Sequence, residues 1–228
     1  MQTKLVKSLW AKKIIRVASI VVLISIFTVT IVSCKGAQVR GSGNLISEDR
    51  DVSGFSKVSI SGSGNLFIEQ GDEESLTIEA EDNILPLITT RVSGSTLTIK
   101  INRGIPTKSP NYYLKVKDLT SISTSGSVSV SCPSLSTDSL VIKSSGSGNI
   151  TLAGTVTSQD IESSGSFKYY AEDLKSNSCV IDSSGSGDLT VNVSDDLNID
   201  VSGSVKVTYI GSPSITQKTS GSATITSK

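Results

Sequence analysis

An all-β fold is predicted for this chain by three features. Apolar and polar residues alternate in many short segments; Ser, Thr, Gly, Val and Ile dominate while helix-forming runs are few; and a Ser-Gly-Ser signature returns at a regular interval. The alternation is plain in Val58-Ser59-Ile60, Leu97-Thr98-Ile99-Lys100-Ile101 and Leu189-Thr190-Val191-Asn192-Val193. The signature centres on Gly126, Gly146, Gly165, Gly185, Gly203 and Gly221, at intervals of 20, 19, 20, 18 and 18. Such spacing is a structural period, with one glycine corner per repeat and a strand on either side.

Two architectures give that period: a parallel β-helix with one coil of about 18–20 residues per repeat, or an antiparallel sandwich-like array with one hairpin per repeat. The coil is favoured. Stacked corners lie about 4.8 Å apart, so every rung must turn at the same place with a residue that tolerates positive φ, whereas an array needs only alternate turns to match. A finer pattern overlies the repeat: SGSGN or SGSGD (Gly146 with Asn149, Gly185 with Asp188) alternates with the shorter SGSF, SGSV and SGSA. A two-rung periodicity is expected from it.

The first 33 residues differ from the rest. Lys4, Lys7, Lys12, Lys13 and Arg16 lead into an apolar run from Val17 to Val32, the charged and apolar regions of an export signal. The run falls short of the roughly 20 residues a membrane-spanning helix needs. It ends in Ile31-Val32-Ser33-Cys34, which resembles the lipobox of bacterial lipoproteins: aliphatic, small, then a cysteine whose thiol carries lipid. Cleavage is expected between Ser33 and Cys34, with Cys34 lipidated, residues 34–40 as a tether and residues 41–228 as the β domain. The membrane is then a partner through the lipid, and the protein works in the cell envelope. Lys35 in place of a retaining aspartate leans towards the outer membrane.

Removal of residues 1–33 takes five of the 21 basic residues and no acidic one, leaving 16 against 21 acidic and a net charge of −5. Nucleic acid is an unsuitable partner for such a chain. Cys132 and Cys179 remain, in a compartment that permits disulfides. Placed on the repeat they fall two coils apart, roughly 10 Å, beyond the about 7 Å between α-carbons that a disulfide spans, so two buried free thiols are expected.

The N-terminal half is less regular, with related glycines at Gly43, Gly64 and Gly94 and a longer insert from Asn102 to Asn111 carrying Pro106 and Pro110. Here the residues resemble a known family. Gly41-Ser42-Gly43-Asn44, Arg50-Asp51-Val52-Ser53-Gly54-Phe55, Val58 to Asn65, Gln70-Gly71-Asp72, Asp82-Asn83-Ile84-Leu85-Pro86 and Gly94 to Ile99 together are similar to the head GIN domain family of auto-transporter adhesins. The resemblance implies a right-handed parallel β-helix on an exported protein, commonly a lipoprotein. It implies no catalytic residues, and no cofactor is expected.

Catalytic chemistry finds little footing. There is no histidine for a nucleophile–base pair. The acidic clusters Asp72-Glu73-Glu74, Glu79-Glu81-Asp82 and Asp195-Asp196 adjoin turn signals and are expected to be solvated loops. A polysaccharide lyase would set a basic residue beside a groove of carboxylates, yet Arg40, Arg50, Arg91 and Arg103 all precede the regular repeat. Asp188 in GSGD lacks the nine-residue aspartate period of calcium-binding β-rolls, so no metal site is expected. Tyr112-Tyr113 and Tyr169-Tyr170 form the candidate binding surface, because one member of each pair must face outward from a strand and an exposed ring can stack on a sugar. The expected function is that of a non-enzymatic adhesin or ligand-binding domain for a glycan or a surface protein. A glycan-active enzyme and a purely structural envelope protein are the alternatives.

Overall fold

The computed structural model describes residues 38–228; the expected export signal, the Ser33–Cys34 cleavage point and the lipidated Cys34 lie outside them. The described chain is all-β apart from one short 3-10 turn at Leu85–Leu87. Val39–Arg40 (β1) already pairs in parallel with Gly104–Ile105, so ordered pairing begins within the stretch expected to be tether.

The organising strand of the N-terminal half is Lys57–Gln70 (β3). Val58, Ile60, Leu66 and Ile68 point inward and are buried, while Lys57, Phe67 and Glu69 point out. It bends at Gly62-Ser63-Gly64, where φ is +126° and +138° at the two glycines. The bend lets one strand serve two neighbours. Residues before it pair in parallel with Thr96–Ile101 and residues after it with Asn111–Val116. Its other edge pairs in parallel with the start of Ser121–Ile210, and Gly62 falls opposite Gly126. The corner equivalent to Gly126 is therefore Gly62, not the Gly64 that the sequence relates to it.

With the remaining strands in place, the labels are β2 (Leu45–Arg50), β4 (Ser75–Glu81), β5 (Ile88–Ser93), β6 (Thr96–Ile101), β7 (Gly104–Ile105), β8 (Asn111–Val116), β9 (Ser121–Ile210), β10 (Ser214–Gly221) and β11 (Thr224–Ser227). β9 is extended backbone that turns repeatedly at its glycines. Its last stretches carry β10 and β11 in parallel, each 18 residues behind its partner, as in Ser214↔Asp196 and Thr224↔Lys206.

The glycine corners stack on one another. Gly146 has φ +128°, and a Cβ there would lie 2.5 Å from the carbonyl oxygen of Gly126; Gly165 has φ +103° and would meet Gly146 in the same way at 2.5 Å. An L side chain is barred twice, by its own backbone and by the rung beneath. The two-rung pattern has a similar cause: a Cβ at Gly148 or Gly187, the second glycine of SGSGN and SGSGD, would lie 2.2 Å or 2.4 Å from the carbonyl of Val128 or Phe167.

A wholly parallel arrangement is not what the N-terminal half adopts. β2 pairs antiparallel with β4, β4 with β8, and β5 with β6. The reasons are local. Gly94, at φ +57°, opens a two-residue hairpin turn between Ser93 and Thr96, and residues 71–74 are too few for the long crossover that a parallel connection requires. The sheets are thus mixed, antiparallel where the chain reverses tightly and parallel where rung follows rung.

One apolar core runs through the described chain, from Phe55 and Leu76 to Val205 and Val207. Among the described residues, buried side-chain polar groups are paired apart from Arg50 Nε. The hydroxyl of Thr124 donates to Ser144 at 3.1 Å, Ser163 and Ser183 share a hydrogen bond at 2.7 Å, and the buried Tyr169 hydroxyl donates to Gln159 Oε1 at 2.7 Å. Cys132 and Cys179 are free and buried.

Candidate functional site

Strand alternation decides which aromatic rings reach solvent. In β8, Tyr112 and Leu114 face the core and Tyr113 faces out; in the rung after Gly165, Phe167 and Tyr169 face the core and Tyr170 faces out. Tyr113 is 46% exposed and Tyr170 40%, whereas Tyr112 and Tyr169 are fully buried. Tyr112 and Tyr169 therefore leave the candidate surface. Burial holds their phenols neutral, with pKa values pushed above the ordinary range.

The register places the two exposed tyrosines on one row. Thr77 in β4 lies opposite Tyr113, Tyr113 opposite Phe67 in β3, and Phe67 opposite Ser131 in β9. Phe67 and Ser131 each stand five residues after a corner glycine, and so do Thr151 and Tyr170 after Gly146 and Gly165, which stack in turn. The outward row thus reads Thr77, Tyr113, Phe67, Ser131, Thr151, Tyr170 across neighbouring strands.

Phe67, 42% exposed, is the residue that the sequence reading missed. It hides between Leu66 and Ile68, where three apolar residues in succession mask the alternation. Once the pairing of Gly62 with Gly126 is known, its five-residue distance from Gly62, the same as that of Tyr170 from Gly165, places it on the outward row. Phe67 and Tyr113 stack with ring centroids 5.4 Å apart and planes 16° from parallel. Around them an open groove of about 380 Å³ is bordered by Glu69, Thr77, Lys115, Ser131 and Pro133.

Beside this row lies a polar one. Asn65 Nδ2 donates to Asn111 Oδ1 at 2.9 Å, and Asn111 Nδ2 donates to Glu79 Oε2 at 2.7 Å. Asn149, Lys168 and Asp188 continue the row on later rungs, all exposed. The bonded amides hold their side chains in fixed orientation next to the rings.

The acidic clusters serve structure. Glu74 accepts the backbone N–H groups of Gly54 and Phe55 at 2.8 and 3.2 Å. Glu81, expected in a solvated loop, ends β4 and is buried. It accepts the N–H of Gly43 at 2.7 Å, the N–H of Thr107 at 2.8 Å and the Thr107 hydroxyl. Burial pushes its pKa upward, but these bonds together outweigh burial and hold it below the usual carboxylate value. Asp82 is lowered likewise, by the Ser42 hydroxyl and the Asn44 amide. Arg50 pairs with Glu48 at 3.2 Å and donates to the Leu85 carbonyl, away from the aromatic row.

A family model described as "Putative auto-transporter adhesin, head GIN domain" matches residues 54–213. The chain belongs to the head GIN domain family. Among solved structures, this head GIN chain is similar to a crystal structure of a putative adhesin from Bacteroides fragilis, 27% identical, with a TM-score of 0.69, covering 83% of this chain and 100% of that one. It is also similar in fold to a putative lipid binding protein from Parabacteroides distasonis, 20% identical, with a TM-score of 0.51, covering 83% and 99%. No curated protein matches it. The family and the Bacteroides fragilis neighbour are both described as putative adhesins, which agrees with an adhesin-like role.

Proposed function

We propose that this chain is a non-enzymatic cell-envelope lipoprotein, held to the outer membrane by lipid on Cys34, that presents an adhesive sheet face. The observation that carries the reading is the outward row in which Tyr113, Phe67 and Tyr170 share one face of a stacked sheet. Large rings exposed together supply contact area with little side-chain freedom to lose, as binding surfaces require. The stacked corners and the parallel register of β9, β10 and β11 support a parallel β-helix for the C-terminal half. The right hand of the coil is carried over from the family resemblance.

Cells displaying the chain should adhere to glycan-coated or matrix-protein-coated surfaces more than cells lacking it. The double substitution Tyr113→Ser with Tyr170→Ser should lower that adhesion several-fold. Unchanged adhesion in the double variant would refute the assignment of this face. The anchor has its own test: Cys34→Ser should move the chain from the membrane fraction to the soluble one.

A further inference from the structure

We infer that the trough between Phe67 and Tyr170 binds a neutral oligosaccharide chain, an inference that deepens the adhesive reading by naming its ligand class. Phe67 and Tyr170 stand three strands apart on the outward row, roughly 14 Å at about 4.8 Å per step. The two positions between them carry only Ser131 and Thr151. Two rings thus wall a trough whose floor is two small hydroxyls. Tyr113 thickens one wall by stacking on Phe67.

The chemistry of the walls and floor selects the ligand. A sugar ring has faces lined with C–H groups and a rim of hydroxyls. Aromatic walls cover the faces, while short hydroxyls, amides and carboxylates exchange hydrogen bonds with the rim. One side of the trough offers Ser129, Asn149 and Lys168, and the other offers Glu69, Pro133 and Glu172. A peptide strand would instead seek an unpaired sheet edge, and the floor strand here is paired with β3 on one side and covered by the next stacked rung on the other.

Charge argues for a neutral chain. Around the trough Lys115, Lys168 and Lys228 are matched by Glu69, Glu79 and Glu172, with Lys228 paired to Glu172 and Glu79 held in the adjoining polar row. No field of one sign is left to attract an anionic polysaccharide. The open ends of the row let a linear chain run past the rings, so a longer oligosaccharide meets more of the face than a single sugar does.

The test uses the full-length chain in detergent on an array of neutral and anionic oligosaccharides, alongside surfaces coated with matrix proteins. Neutral oligosaccharides should be retained over anionic ones, and longer chains over monosaccharides. Tyr170→Ala and Phe67→Ala should each weaken binding about tenfold, a step of roughly 1.4 kcal/mol. Thr151→Trp, which fills the trough from an exposed position, should abolish binding while leaving the unfolding temperature in place. Loss of neutral-glycan binding from the parent chain, or its persistence in Thr151→Trp, would overturn the inference. If the chain instead holds a protein surface, loses it in Thr151→Trp and is not displaced by free oligosaccharide, the glycan assignment falls and the adhesive face stands. Binding to none of these surfaces would refute both.

Discussion

The carboxylate of Glu81 accepts the backbone N–H of Gly43 at 2.7 Å, joining residues 38 positions apart in the chain. The same carboxylate takes the N–H of Thr107, so the segment around Gly43, the end of β4 and the proline-bearing insert meet at one charge. The fit is close enough that a Cβ at Gly41 would overlap the carboxylate. Because hydrogen bonds lower the folded pKa of Glu81 below its ordinary 4.5, its contribution to stability is present above that pH and is lost as pH falls through the folded value. Glu81→Gln should therefore lower the thermal midpoint by several degrees at pH 7, and the gap should shrink at pH 3. A gap independent of pH would contradict a charge-based joint.

The glycine column predicts a sharp contrast between two substitutions. Gly165→Ala places a Cβ 2.5 Å from the Gly146 carbonyl at φ +103°, and should cost about 3 kcal/mol through backbone strain and clash together. Gly71→Ala meets nothing within 4 Å and has no positive φ, so it should leave stability almost unchanged. Urea unfolding of both variants measures the difference. Equal midpoints would mean that the corners do not stack as described.

How far the sequence revealed this molecule depended on where its period was regular. From Gly126 onward, one glycine per rung announces both the corner and the spacing, and each outward position can be counted from it. Before Gly126 the same counting fails, since Gly62 and Gly64 both sit in the bend of β3 and only the pairing of Gly62 with Gly126 distinguishes them. Phe67 was overlooked for that reason. The antiparallel pairs also escaped, because alternation in β5 and β6 is the same whichever way a strand runs, and only the brevity of the Gly94-Ser95 turn fixes direction. The burial of Glu81 was illegible too. Its partners Gly43 and Thr107 are remote in sequence, and an acidic residue beside a turn reads as solvated until they are seen around it.

Burial of Cys179 predicts sensitivity to alkali. Burial first, and then the nearby Asp160 charge, push its thiol from an ordinary 9.0 up to about 12. A raised folded pKa contributes stability that is full below pH 9 and drains away as pH rises towards 12. Cys179→Val should therefore flatten the loss of stability across that window, followed by circular dichroism. Part of the loss should remain, since the buried Tyr169 phenol is raised as well. In the parent chain at pH 8, mass mapping should find Cys132 and Cys179 unmodified by a thiol reagent until denaturant is added.

The paired hydroxyls of Ser163 and Ser183 predict non-additivity. Each stands two residues before its corner glycine, and the equivalent position on the next rung is the buried Val201, so an aliphatic side chain fits this column. Ser163→Val alone should cost about 1–2 kcal/mol, because it leaves the buried Ser183 hydroxyl without its 2.7 Å partner. Ser163→Val with Ser183→Val removes both polar groups together and extends the apolar column by two rungs. The double variant should then be at least as stable as the worse single one, with a coupling of about 1 kcal/mol or more in a double-mutant cycle. Strict additivity would show that the two hydroxyls do not depend on each other, and the interior of the coil would have to be rebuilt with a different partner for each.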